Sequence, residues 1–152
     1  ANYSTPQQVL VSGIEDADTI NESATITLST AGVPSRNVAV SVTDNDSQGL
    51  MLSVAQVTVT EGGTASFFVT LISDPAGSLV VTLSSSNPAA ATVSPAALTF
   101  SSANYAVPQQ VTVHGLLDAN TANEDLVIAV TIAGTSLTFV VQVHVVDDGV
   151  VR

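Results

Sequence analysis

The 152 residues contain no cysteine, no tryptophan and no lysine. Without cysteine there is no disulfide framework and no thiol nucleophile. Arg36 and Arg152 are the only strongly basic residues in a chain of net charge −11. Phosphate backbones are held by clustered cations, so nucleic acid is not expected as a partner. An anionic membrane surface is disfavoured for the same reason. The missing lysine also removes Lys–Asn isopeptide cross-links. No apolar run is long enough to span a membrane and no signal peptide is visible. Neither G-x-S-x-G, nor H-E-x-x-H, nor a glycine-rich phosphate loop occurs. Both histidines, His114 and His144, fall at outward positions of alternating segments and read as surface residues. No catalytic constellation emerges, and the chain is not expected to be an enzyme.

What is present is a repeat. The segment Tyr3–Leu28 matches Tyr105–Val130 at 13 of 26 positions, an offset of 102 residues. Both copies contain Pro-Gln-Gln-Val, a glycine six residues after the first Gln, and an acidic stretch ending in Asn-Glu. After a one-residue insertion, Val38–Asp44 aligns with Val141–Asp147. Such a long fixed period marks a tandem array. Hydrophobic residues make up 45% of the chain, which supports a folded core despite the charge. One period is the size of an ordinary sandwich domain, about 100 residues. Residues 1–47 are therefore expected to be the C-terminal half of one repeat, and residues 48–152 one complete repeat. An opening inside a unit suggests a piece of something longer.

After a polar lead-in at 1–6, alternating Val, Ala, Leu, Ile and Thr predict strands at 7–13, 22–30 and 36–43. Further strands are expected at 50–60, 64–72, 79–85, 97–101, 109–115, 124–132 and 137–146, with a short edge strand at 91–93. In 50–60 the alternation changes phase near Ala55, which signals a bulge or a change of sheet. Turn signals separate the strands, among them Glu61-Gly62-Gly63 and Asp74-Pro75-Ala76-Gly77. A helix over 121–132 is rejected because its second half is β-branched. The expected fold is all-β: an immunoglobulin-like antiparallel β-sandwich of about seven strands, repeated about every 102 residues.

The acidic residues are not scattered. Of 13, only Asp74 stands apart in a turn. Glu15, Asp16, Asp18 and Glu22 form one group, with Asp44 and Asp46 after the third strand. Glu61, then Asp118, Glu124 and Asp125, then Asp147 and Asp148 repeat the pattern. If the strands run alternately up and down, Glu61, Asp118, Asn120, Glu124, Asp147 and Asp148 converge on one pole. Crowded carboxylates need protons or a cation, and oxygen ligands from several loops suit Ca²⁺. A solvated acidic rim is the plainer alternative. An EF-hand is excluded, because Asn21 and Asn123 stand where its turn glycine is needed. A glycosidase-type carboxylate pair would want an aromatic platform, and none is near.

Val59-Thr60-Glu61-Gly62-Gly63-Thr64-Ala65, Leu98-Thr99-Phe100, Val111–Asp118 with Glu124, and Val143–Asp148 together resemble the Calx-β-type module, similar to units in the repeat arrays of bacterial adhesins. The resemblance covers 50–149, and its second half recurs in 3–46. It implies Ca²⁺ ligands at Glu61, Asp118, Glu124, Asp147 and Asp148, and at Asp16, Glu22, Asp44 and Asp46 in the partial unit. The sequence departs from the family in three places. Ala89–Val93 replaces the usual Asp-Tyr, Ala119 (Ala17 in the first copy) replaces the second loop aspartate, and the terminal aspartate triplet is reduced. The function this implies is a structural extender in an extracellular surface protein, its junctions stiffened by calcium and its partners neighbouring repeats. The alternative is a filament subunit whose incomplete N-terminal sandwich is finished by strands of a neighbouring chain. A carbohydrate-binding accessory module is a third class.

Overall fold

The computed structural model describes residues 4–150; part of the lead-in and Arg152 lie outside them. Eleven strands and no helix are present among these residues, and no helix is long and apolar enough to cross a membrane. The complete unit holds nine strands. They are β3 (Leu50–Leu52), β4 (Gln56–Thr60), β5 (Thr64–Leu71), β6 (Leu79–Ser85), β7 (Ala91–Ser94), β8 (Ala97–Phe100), β9 (Gln109–Gly115), β10 (Glu124–Ile132) and β11 (Thr138–Val146). A five-stranded sheet in the order β4-β11-β10-β6-β8 faces a four-stranded sheet in the order β3-β5-β9-β7. This is the expected β-sandwich. Pairing is antiparallel except between β4 and β11, which run parallel.

Alternation fixes which side chains point inward. In β10, Leu126, Ile128, Val130 and Ile132 are buried, and in β11 Val141, Val143 and Val145 join them. Phe67 and Phe100 are the largest fully buried side chains, among valines from both sheets. Each such residue contributes roughly 1.5–3 kcal/mol by leaving water.

The phase shift near Ala55 is a change of sheet. β3 pairs with β5 in one layer, and β4 pairs with β11 in the other. The three residues between them carry the chain across, so the predicted 50–60 strand is two strands. The 91–93 edge strand is real and pairs with β9. With this division the unit reaches nine strands rather than about seven.

The first half folds differently from its copy. β1 (Glu22–Thr30) and β2 (Val33–Val42) form an isolated antiparallel hairpin. Its register matches that of β10 and β11: Glu22 lies opposite Val42 as Glu124 lies opposite Val145. β2 begins at Val33, earlier than expected, because Ala31-Gly32 alone makes the turn, with Gly32 at φ +79°. The strand predicted at 7–13 is absent. The reason is pairing. Its counterpart β9 is held between β5 and β7, and no equivalent of either is present among the described residues before β3.

Candidate functional site

Strand register alone assembles an acidic pole in the complete unit. Thr60 and Val146 are partners at the ends of the parallel β4–β11 pair, so Glu61 and Asp147 emerge side by side. Glu124 begins β10 opposite Val145, and β9 ends beside the β4–β5 turn. That turn is fastened to its neighbours by backbone bonds. Glu61 N–H donates to Val146 O (2.9 Å) and Gly62 N–H to Gly115 O (3.1 Å), while Gly115 N–H donates to Gly63 O (3.1 Å). Gly62 turns at φ +66°. Gly115 has no room for a side chain, since a Cβ there would lie 2.4 Å from Thr60 O. The close approach sets Glu61 against the Asp118 loop.

Glu61 is buried, at 7% exposure. Carboxylate oxygens of Glu61, Asp118 and Glu124 lie within 4.8 Å of one another, and so do those of Glu61, Asp147 and Asp148. Glu61 thus joins two carboxylate groups. Burial first, then the charges of Asp118 and Asp147, raise its pKa above the ordinary 4.5. Glu124 Oε2 and Asp147 Oδ2 are shielded from solvent and receive no hydrogen bond among the described residues. Asn120 takes part in the hydrogen bonding of its own loop. Its amide donates to Asp118 Oδ2 (2.7 Å), and its Oδ1 accepts from Ala122 N–H (2.6 Å). It braces the loop and holds Asp118 in place.

The partial unit rebuilds the same loop. Asp18 N–H donates to Asp16 Oδ1 as Asn120 N–H does to Asp118 Oδ1. Ile20 N–H donates to Asp18 Oδ1 as Ala122 N–H does to Asn120 Oδ1. Asp16, Asp18, Glu22 and Asp44 bring oxygens within 4.8 Å of one another, beside a cleft of about 300 Å³. Here Asp18 stands where the complete unit has Asn120. The pKa of Glu22 is raised too, by desolvation first and then by Asp16, Asp18 and Asp44. Asp46 lies outside this group, and its N–H donates to Asp44 Oδ1 (2.7 Å).

Two site residues escaped the sequence reading. Asn21 Oδ1 accepts from Asp44 N–H (2.7 Å), and Asn123 Oδ1 from Asp147 N–H (2.9 Å). Each ties the acidic loop to the end of the last strand. Their identity in both copies was the available signal. His144, expected at the surface, is half-buried, with Nδ1 2.7 Å from Asp125 Oδ1.

All donors at both poles are oxygens, with shielded acceptors among them. That chemistry fits a hard divalent cation better than a transition metal.

No protein-family model matches the chain, and no curated protein does. Solved structures do. The chain is similar to domains 4 and 5 of the S-layer protein SbsC at 23% identity and TM-score 0.54, covering 84% of this chain and 59% of that one. It is similar to SbsC domains 1–6 at 21% identity and TM-score 0.57, covering 86% of this chain and 17% of that one. The Salmonella enterica SafA pilin in complex with the SafB chaperone matches at 15% identity and TM-score 0.51, over 68% of this chain and 57% of that one. The chain therefore spans 59% of the two-domain SbsC structure and far less of the longer one. At these identities the likeness establishes the β-sandwich fold.

Proposed function

We propose that this chain is a non-catalytic spacer from a bacterial cell-surface repeat protein, of Calx-β-like type, whose acidic poles bind Ca²⁺ at the joints between repeats. One observation carries the reading. The loop bearing Asp16 and Asp18 is bonded to the following unit, where Asp74 N–H donates to Ala17 O at 2.7 Å. Ser73 Oγ donates to Ser47 O (3.2 Å), and Gln48 Nε2 to Ser73 O (3.4 Å), alongside it. An ion held by Asp16, Asp18, Glu22 and Asp44 would fix the loop that touches the neighbour. Without it, four carboxylates repel one another beside the joint. The similarity to S-layer domains supports a surface location and a mechanical role.

A cation that binds only the folded state stabilises by RT ln(1 + [L]/Kd). With Kd near 10⁻³ M, as in extracellular modules, ~10 mM Ca²⁺ gives about 1.4 kcal/mol per site. Small-angle scattering of the chain tests the reading. A longer, narrower particle in calcium than in chelator is expected, and an unchanged profile contradicts it.

A further inference from the structure

An early strand of the complete unit and its last strand lie side by side. β4 and β11 run parallel, from Gln56 opposite Gln142 to Thr60 opposite Val146. Their ladder continues past both ends of β4, where Gln142 N–H donates to Ala55 O (2.9 Å) and Glu61 N–H to Val146 O (2.9 Å). The chain enters the unit at Gly49, whose carbonyl accepts from Ile72 N–H (3.1 Å), and β3 then pairs with the last residues of β5. Since β5 begins at Thr64, just after Glu61, Gly49 lies at the end of the sandwich opposite Glu61. The chain leaves past Val146, beside Glu61. Entry and exit therefore stand at opposite ends, and two adjacent parallel strands connect them.

This arrangement decides how tension acts. A pull along the chain draws β4 toward the entry end and β11 toward the exit end. The bonds between the strands lie across the pull, so they are strained together and several must break at once. Two strands pulled apart from the same end behave differently, because their bonds open one after another. β11 cannot swing aside, since β10 holds its other edge from Glu124 opposite Val145 to Thr131 opposite Thr138. Val57 and Val59 of β4 are buried with Val143 and Val145 of β11, so sliding also drags apolar side chains out of register in the core. β3 adds little, because it pairs with β5 over three residues.

We propose that the β4–β11 pair is the mechanical clamp of the complete unit: tension along the chain strains its bonds in shear, and separation of β4 from β11 is the step at which the unit yields. The proposal rests on the spacer reading, which puts such tension on the chain, and it names the strands that resist it. Forced unfolding is governed by the unfolding barrier rather than by equilibrium stability. A clamp of this kind makes resistance depend on the direction of the pull. A unit held by its core alone would resist equally in every direction.

Single-molecule force spectroscopy of the full chain in chelator tests it. The chain has no cysteine, so one introduced cysteine takes one handle and the C-terminal end takes the other. Ser47→Cys, exposed and ahead of Gly49, loads the pair in shear. Thr60→Cys, exposed at the end of β4 opposite Val146, peels the pair from one end. At the same loading rate the first geometry should need at least ~2-fold more force. Two proline variants in the Ser47→Cys background then locate the barrier, both at exposed side chains. Gln142→Pro deletes the donor to Ala55 O and should lower the force. Met51→Pro, in β3 opposite Thr70, should leave it unchanged. Three results overturn the proposal: equal forces in the two directions, an unchanged force in Gln142→Pro, or a larger loss in Met51→Pro than in Gln142→Pro. If Gln142→Pro fails to fold, the two directions alone decide. Calcium plays no part in the readout. A chain that lengthens in calcium but yields equally in both directions loses the clamp and keeps the spacer reading. A directional difference without a calcium response keeps the clamp and loses the calcium joints.

Discussion

The backbone N–H of Asp74 donates to the carbonyl of Ala17 at 2.7 Å, and this bond joins the acidic Asp16–Asp18 loop to the turn between β5 and β6. Asp74 also accepts from Ala76 N–H through Oδ1 (2.8 Å), which shapes the turn that presents the donor. Ala76 sits at φ +50°, a conformation that costs roughly 1–2 kcal/mol for a residue with a Cβ. Ala76→Gly removes that strain but adds freedom to the unfolded chain. The net expectation is a gain of up to about 1 kcal/mol in urea unfolding of the complete unit, with no change in calcium response.

Two equivalent glycines give a paired prediction. At Gly115 a Cβ would press on backbone oxygen 2.4 Å away, so Gly115→Ala should destabilise the complete unit by about 1–3 kcal/mol. It should also displace Glu61 and weaken calcium binding. Gly13→Ala meets only a valine methyl at ordinary distance and should stay within about 0.5 kcal/mol. Chemical denaturation of both variants checks the difference.

Ile26 and Ile128 are the same residue in the same register. Ile128 is fully buried, and Ile128→Ala should cost about 2–5 kcal/mol. Ile26→Ala, in the open hairpin, should cost less than about 1 kcal/mol. Equal losses would mean that the first half closes a core of its own in solution.

Glu61 gives stability a pH dependence with a definite sign. Its folded pKa is raised above 4.5, by burial first and then by Asp118, Asp147 and Asp148. The folded state therefore binds that proton more tightly than the unfolded state. Its contribution is complete below 4.5 and is lost as pH rises through the raised value. Glu22 acts in the same direction. In chelator, the melting temperature should fall over this window, and Glu61→Gln should reduce the fall. Calcium at neutral pH should oppose it by holding the carboxylates charged.

Most of the fold was legible because alternation separated core from surface, and the repeat supplied the β10–β11 hairpin a second time as β1–β2. What was not legible depended on partners far away in sequence. Val9 and Val11 alternate as well as Val111 and Val113 do, yet residues 7–13 form no strand because nothing occupies the places of β5 and β7. Parallel and antiparallel runs fix where strands end, which is why Glu61, Asp118, Glu124, Asp147 and Asp148 lie near one another at one pole. The hydrogen bonds made by Asn120, Asn21 and Asn123 were not legible, because a short amide that braces a loop looks like any turn residue until its partner is known. Asp46 lies outside the group of Asp16, Asp18, Glu22 and Asp44, and its N–H donates to Asp44 Oδ1.

Calcium should raise the melting temperature of the complete unit by about 5–10 °C at ~10 mM, from the 1.4 kcal/mol above and the entropy of unfolding of about 100 residues. Asp118→Ala should abolish that rise while leaving the first-half site, Asp16, Asp18, Glu22 and Asp44, intact. Calorimetry of the two proteins with calcium and with chelator decides this.

The central claim is that cation binding at the first pole is felt across the joint, and the exchange rate of the Asp74 amide measures it most directly. Calcium should slow that amide in the native chain, and Asp16→Ala should remove the slowing while the complete unit still binds its own ion. An Asp74 amide that exchanges at the same rate in ~10 mM calcium and in chelator would contradict the account, leaving the acidic poles as solvated rims and the joint indifferent to them.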